Sequence, residues 1–365
     1  MATNDLEIIK QLEQVIGKRI FEIPIVITAF SKGYLLNADK QVIGLTLPDM
    51  ELQEIPSLIF KLEHLQTLRL VNNKITTIPR EIAQLKKLLS LNLSNNQLVT
   101  LPNEIGALTT LQNLHLSNNQ LRTLPPEIGY LTHLQQLDLS SNQLIGLPVE
   151  VVAWHHIQKL HLSYNQLNTL PVNIAAWHNL QKAYLSYNRL SELPKGVQAW
   201  QAVQHLDLSY NQLYKLPKEV FYWKNVQKLD LSYNQLTDIP EESKGWNNLQ
   251  DLNLMSNQLI TLPLEVSGWK NLQVLNVMKN KLEALPKEII AWEFLRILYL
   301  AANPLNVLPI EVTAWKGLQK LHLSNNQRNL LTSHDVTSNI EIGWQDYIET
   351  FSKKENKSLF KRLFP

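Results

Sequence analysis

The chain repeats itself every 23 residues, and no other feature of its 365 residues constrains the fold as tightly. The stretch from Leu88 to Leu98 reads LxxLxLxxNxL. The same frame restarts at Leu65, Leu111, Leu134, Ile157, Leu180, Val203, Val226, Leu249, Leu272, Leu295 and Leu318. A degenerate earlier copy starts at Val42, with Met50 where the asparagine belongs, which makes thirteen copies. A unit this short cannot bury its own apolar edge. Stacking successive units can, so the period predicts a solenoid with capped ends.

Each position of the frame has a physical job. The leucines of LxL point inward from a short strand and the residues between them point outward. Successive strands are expected to pair into a parallel sheet on the concave side. Asn73, Asn96, Asn119, Asn142, Asn165, Asn188, Asn211, Asn234, Asn257, Asn280, Asn303 and Asn326 fall in one column. An amide both donates and accepts, so each asparagine can satisfy backbone groups where the chain leaves the strand. Leu-Pro follows, as at Leu101-Pro102, and the fixed φ of proline sends the chain around the back. A short helical turn such as Glu104 to Leu108 returns it.

A second column holds Trp154, Trp177, Trp200, Trp223, Trp246, Trp269, Trp292 and Trp315, where the early copies have Leu62, Leu85, Leu108 and Leu131. Leucine in the same place predicts an inward, core position for the indoles on the convex side. Residues 1–41 are expected to form the first cap. Leu6, Ile9, Leu12, Ile16 and Ile20 recur at helical spacing, and a hairpin turning at Asn37 to Lys40 leads into the first copy. Residues 42–331 are the solenoid and residues 332–365 a second cap. There Trp344, Tyr347, Ile348 and Phe351 are expected to pack as a final helix before a basic tail from Lys353.

Composition removes several function classes. There is no cysteine, so disulfides, thiolate metal sites and a cysteine nucleophile are excluded together. A formal net charge of +2 selects neither nucleic acid nor a membrane surface. No apolar stretch of about 18 residues is present, so no span is expected. No signal pattern opens the chain, and the expected location is cytoplasmic. No cofactor is implied, and the oligomeric state is not legible.

Where the copies are alike, the informative residues are the departures. The last outward position becomes Tyr164, Tyr187, Tyr210 and Tyr233 in four consecutive copies, a ladder of rings about 5 Å apart. Further along, Met255, Met278 and Ala301 replace serine, and Val274, Ile297 and Tyr299 join them, which predicts an exposed apolar patch. Lys159, Lys182, Tyr184, Asp207 and Asp230 add mixed charge and another ring to this face, which suits a protein ligand. His115, Asp138 and His161 share one outward position in adjacent copies, with the two imidazoles roughly 10 Å apart at their bases and within reach of one metal ion. A Ser–His–Asp set can be drawn there with Ser117, Ser140 and Ser163. An open sheet offers neither an oxyanion hole nor a dry pocket, so polar decoration is the simpler reading.

The consensus LPxEIxxLxxLxxLxLxxNxL, as in Leu101-Pro-Asn-Glu-Ile105 and Leu216-Pro-Lys-Glu-Val220, resembles the leucine-rich-repeat family. It is most similar to a branch shared by bacterial repeat proteins, notably those of leptospiral spirochaetes, and by intracellular scaffolds of Ras signalling. The resemblance implies an α/β solenoid, a horseshoe with a parallel concave sheet and short helical or 3-10 turns on the convex side. It implies protein–protein interaction without catalysis. The N-terminal hairpin is similar to the entry of Roco-type repeat arrays, but no GxxxxGK[ST] loop follows. The bacterial ubiquitin-ligase effectors have a shorter repeat and need a cysteine, which is absent. The expected function is therefore a non-enzymatic scaffold that binds a protein on its concave face. The alternatives are a secreted or surface effector engaging host molecules, and the metal or hydrolytic site.

Overall fold

The computed structural model describes residues 5–23, 31–309, 315–324, 327 and 341–344. Their strands form a single 15-stranded sheet in strict chain order. The first pair, Gly33–Leu36 and Val42–Thr46, is antiparallel and is the expected hairpin. From Val42–Thr46 through Lys320–Leu323 the strands run parallel and pair one copy of the frame with the next, as in Leu91 against Leu114. The array is thus an open solenoid with the sheet along one side.

Leu114 and Leu116 are fully buried, so the strand Asn113–His115 faces the core with its leucines. The chain then turns through a left-handed residue, Asn118 at φ 54°. Asn119 comes next and is buried. Its Nδ2 donates to Leu93 O and Leu116 O at 3.0 Å each, and its Oδ1 accepts from Leu98 N at 2.9 Å. One side chain therefore ties two repeats together and pairs backbone groups that the turn leaves without a ladder. Pro102 holds φ −72° and ψ 154°, and the 3-10 turn Asn103–Ala107 follows, where the helical turn was expected.

The tryptophans lie in the core as expected: Trp154 through Trp292 are 0% exposed and Trp315 is 3% exposed. Neighbouring indoles stack at 5.9 to 6.4 Å between centroids. An additional role emerges from the bonds. Trp154, Trp177, Trp223, Trp246, Trp269, Trp292 and Trp315 each donate Nε1–H to a carbonyl of the preceding 3-10 turn, for example Trp223 to Val197 O at 3.1 Å. Trp200 does not: its Nε1 is buried without a partner. By the same 26-residue offset its acceptor is in the turn Ile174–Ala176. That turn is three residues long and starts from Asn173 at φ −98°, whereas the turn that serves Trp223, Lys195–Ala199, is five residues long and starts from a proline.

The N-terminal cap is the helix Asp5–Ile16, which buries Ile8, Ile9 and Leu12. Leu6 and Ile16 are only half-buried, because the apolar stripe is centred on Ile8 and Leu12. Gly17 ends the helix at φ 70°, and its N–H donates to Glu13 O at 2.8 Å. Asp5 Oδ2 accepts from Val42 N at 2.8 Å and anchors the cap on the first parallel strand.

At the other end the structure corrects one expectation. Trp344 belongs to a strand, Glu341–Trp344, which pairs parallel with Lys320–Leu323. An open sheet edge leaves N–H and C=O groups without partners, and an added strand covers them. Tyr347, Ile348, Phe351, the basic tail, Arg328 and Asn326 lie outside the described residues.

Candidate functional site

The outward side chains of the sheet form rows that run from copy to copy. One row begins each strand: Lys159, Lys182, His205, Lys228, Asp251, Val274 and Ile297 are neighbours in that order. All are half-buried, with their stems against the sheet. Lys228 and Asp251 make an ion pair at 3.4 Å.

The row at the strand ends departs from expectation. His115, Asp138, His161, Tyr184, Asp207, Asp230, Asn253, Asn276 and Tyr299 occupy it. The mixed-charge reading placed Asp207 and Asp230 on the open face, but they are only 5% and 2% exposed. Each carboxylate turns to cap the chain two residues ahead, a local Asx geometry. Asp207 accepts from Ser209 N at 3.0 Å and Ser209 Oγ at 2.7 Å. Asp230 accepts from Ser232 N at 2.9 Å and Ser232 Oγ at 2.6 Å, and its second oxygen accepts from Asn253 Nδ2 at 3.0 Å. Burial, then the neighbouring Asp207, pushes Asp230 up to about 7.

That shift has a testable sign. A carboxyl whose folded pKa lies above its unfolded value holds its proton more tightly when folded, so raising the pH removes stability. From the ordinary 3.8 to about 7, stability contributed by Asp230 declines as pH rises. Asp230→Asn, which keeps an acceptor for Ser232, is expected to flatten the fall in melting temperature across that window. Parallel melting curves for the two proteins would contradict this.

The metal reading draws no support from the side-chain arrangement. His115, Asp138 and His161 do stand side by side in register. Among the described residues, however, no group of three or more His, Cys, Asp or Glu side chains is arranged to hold a metal ion. Asp138 is engaged by Ser140 N and Oγ, and the His161 ring packs on Tyr184 at 4.3 Å. Burial lowers both imidazole pKa values. The serines bond to one another or to aspartate, as Ser117 to Ser94 and Ser186 to Ser163 at 3.0 Å each.

The apolar patch is narrower than expected. Met278 is 4% exposed and Ala301 is 0% exposed. Their position is buried in other repeats too, where Ser209 and Ser232 occupy it, because it lies beside the asparagine column. Met255, Val274, Ile297 and Tyr299 remain half-buried on the face. Tyr299 stacks on His322 at 4.4 Å.

The tyrosine ladder forms, but on an unexpected backbone. Tyr164, Tyr187, Tyr210 and Tyr233 have φ 59°, 55°, 53° and 53°, so they sit in the turn after the strand. Asn72, Asn95 and Asn118 hold this left-handed position in earlier copies. Asparagine tolerates it; a bulky side chain there costs roughly 1–2 kcal/mol. The rings stack at 4.3, 4.1 and 4.1 Å, and each stack returns about 0.5–1.5 kcal/mol. The two effects nearly cancel. Tyr164→Asn, at the end of the stack, is therefore expected to change stability by less than about 1 kcal/mol, whereas Tyr187→Asn loses two stacks and costs about 1 kcal/mol more. Urea denaturation of both variants measures the difference. Burial, followed by Tyr187, raises the Tyr164 hydroxyl to about 12.

Ring spacing near 4 Å beside the sheet and near 6 Å in the tryptophan column means that the repeats splay on the convex side. This splay curves the array and turns these rows inward.

Comparison with known proteins matches this geometry. Family profiles described as leucine rich repeat match residues 109–167, 132–190 and 201–259, and one described as leucine-rich repeat region matches residues 44–120. A solved leucine-rich-repeat protein of Leptospira interrogans is 35% identical, with 87% of this chain and 81% of that chain covered and a TM-score of 0.64. This chain is a leucine-rich-repeat protein. A Listeria monocytogenes internalin shares the fold at TM-score 0.71 and 19% identity, covering 94% of this chain and 95% of its own. Toll of Drosophila, solved in complex with Spätzle, is 28% identical at TM-score 0.64, over 71% of this chain and 36% of Toll. The comparison with curated proteins finds no match. Among the described residues of this leucine-rich-repeat protein, no helix is long and apolar enough to cross a membrane.

Two features escaped the sequence reading. His205 continues the Lys159–Lys182 row and was visible from its register. The capping role of Asn92, Asp138, Asp207, Asp230, Asn253 and Asn276 was visible as an Asx residue two before the next bonded N–H.

Proposed function

We propose that this protein is a non-enzymatic recognition scaffold. It binds a protein partner on the concave side between Lys159 and Tyr299. The observation that carries this reading is the tyrosine stack. Four consecutive tyrosines occupy a left-handed turn where other copies carry Asn72, Asn95, Asn118, Ser141, Ser256, Lys279 and Ala302, and their rings return no more stability than the backbone loses. Folding alone gives little reason for tyrosine there, while rigid rings with polar tips suit recognition. Tyr184, Met255, Val274, Ile297 and Tyr299 extend the same surface. Met278, Asp207 and Asp230 support it from beneath. Toll, to which this chain is similar and which was solved in complex with Spätzle, lends weight to a macromolecular partner here.

Photocrosslinking tests this reading. A photoreactive amino acid at Tyr184 or Ile297 is expected to trap a protein partner from the native cell. The same group at the exposed Val172 or Leu264 is expected to trap little. Equal trapping from Val172 and Leu264 would overturn the reading.

A further inference from the structure

Lys159 and Lys182 stand directly opposite each other in adjacent strands, and His205 follows Lys182 in the same register. Like charges in that relation oppose strand pairing. Elsewhere on the sheet the problem is solved locally, with Lys228 on Asp251 at 3.4 Å and Lys320 on Glu341 at 2.9 Å. Among the described residues, neither Lys159 nor Lys182 makes an ion pair. Of the nearby carboxylates, Asp207 and Asp230 are buried and bonded to their serines, and the half-buried Asp138 is engaged by Ser140 N and Oγ. The lysine field reaches the imidazoles, since Lys159 and Lys182 lower His161, and Lys182 and Lys228 lower His205, each adding to a larger effect of burial.

We propose that the lane of Lys159, Lys182 and His205, edged by Tyr184 and the tyrosine stack, receives an acidic segment of the partner protein. This deepens the concave-face reading and rests on it. Charge complementarity selects the occupant. The lane is two lysines and a histidine long, closed by Asp251 beyond Lys228 and by Gln136 before Lys159. Nucleic acid, with a charge every ~1.7 Å of duplex, would run onto Asp251 and Asp138. A peptide can place carboxylates only where the lysines are. Adjacent strands lie about 4.8 Å apart, close to the ~5–6 Å between side chains one helical turn apart.

The test uses fluorescein-labelled oligoglutamate, with oligoglutamine and oligothymidylate as comparison probes, read by anisotropy at low salt. Oligoglutamate is expected to bind and the other probes to bind weakly. Lys159→Glu/Lys182→Glu is expected to weaken binding at least about tenfold, and Lys159→Gln/Lys182→Gln less, in the same direction. Asp251→Asn, which removes the acid that flanks the lane beyond Lys228, is expected to tighten it. The molecule contains its own control: Lys195 and Lys218 are exposed and one repeat apart on the convex turns. Lys195→Glu/Lys218→Glu is expected to leave binding unchanged. Circular dichroism confirms that each variant keeps its fold. Oligoglutamate binding no tighter than oligoglutamine, equal loss in the convex variant, or tighter binding of oligothymidylate through Lys159 and Lys182 would overturn the proposal. Failure here with crosslinking still confined to the concave side removes the acidic lane alone. Successful oligoglutamate binding with crosslinking from the convex side removes the wider reading instead.

Discussion

Trp223→Ala is expected to destabilise the array by about 3–5 kcal/mol, the range for emptying a large buried aromatic site. The side chain is 0% exposed and stacks on Trp200 at 6.2 Å and on Trp246 at 6.4 Å. Its Nε1–H also donates to Val197 O at 3.1 Å. In a solenoid each repeat is stabilised by its two neighbours, so one truncation weakens two interfaces. Replacement by phenylalanine separates packing from hydrogen bonding. Trp223→Phe removes the indole donor from Val197 O, which keeps only the Trp200 backbone N–H at 3.1 Å. Trp200→Phe removes an N–H that is already buried and unpartnered. A lost intramolecular hydrogen bond costs roughly 0.5–1.5 kcal/mol, so Trp200→Phe is expected to be milder than Trp223→Phe by about 1 kcal/mol. Guanidinium denaturation of both variants reads this difference, and equal losses would contradict the bonding pattern.

Asn188→Ala is expected to cost about 1–3 kcal/mol, although it removes only a small polar side chain. Asn188 Nδ2 donates to Leu162 O and Leu185 O at 3.0 Å each and to Ser186 O at 3.3 Å. Its Oδ1 accepts from Leu167 N at 3.0 Å. Truncation strands the buried Leu167 N–H, while Leu162 O, Leu185 O and Ser186 O keep Asn165 Nδ2, Asn211 Nδ2 and Tyr164 N as donors. Asn188→Asp keeps an acceptor for Leu167 N and places a charge against three carbonyl oxygens, so it is expected to cost at least as much. A melting temperature within a degree or two of wild type for Asn188→Ala would show that water replaces the side chain.

These two columns explain why the fold was legible. Leu, Asn, Pro and Trp each hold one place in the 23-residue frame, and each has a backbone or core task that follows from its chemistry. The thirteen copies of the frame reappear as thirteen parallel strands, and the hairpin and N-terminal helix fall where period and turn residues put them. The candidate surface was less legible. Alternation along a strand assigns a side, but it does not say how deep a residue sits on that side. Asp207 and Asp230 were outward by alternation and yet folded back to cap Ser209 and Ser232. Met278 was outward by the same rule and yet filled the recess beside the asparagine column. The tyrosines were placed in the right column, but their left-handed backbone was signalled only by the asparagines that precede them in that column, since tyrosine itself does not favour it. Trp344 was misplaced because its strand lies outside the regular frame.

The most direct test of the account is affinity capture from the native cell with three proteins: wild type, Tyr187→Ala/Tyr210→Ala, and Lys195→Glu/Lys218→Glu. The concave account predicts that wild type and the convex lysine variant retain the same protein partner, while the tyrosine variant loses it and keeps its folded circular dichroism spectrum. Retention of that partner by the tyrosine variant, or its loss from the convex variant alone, would contradict the account.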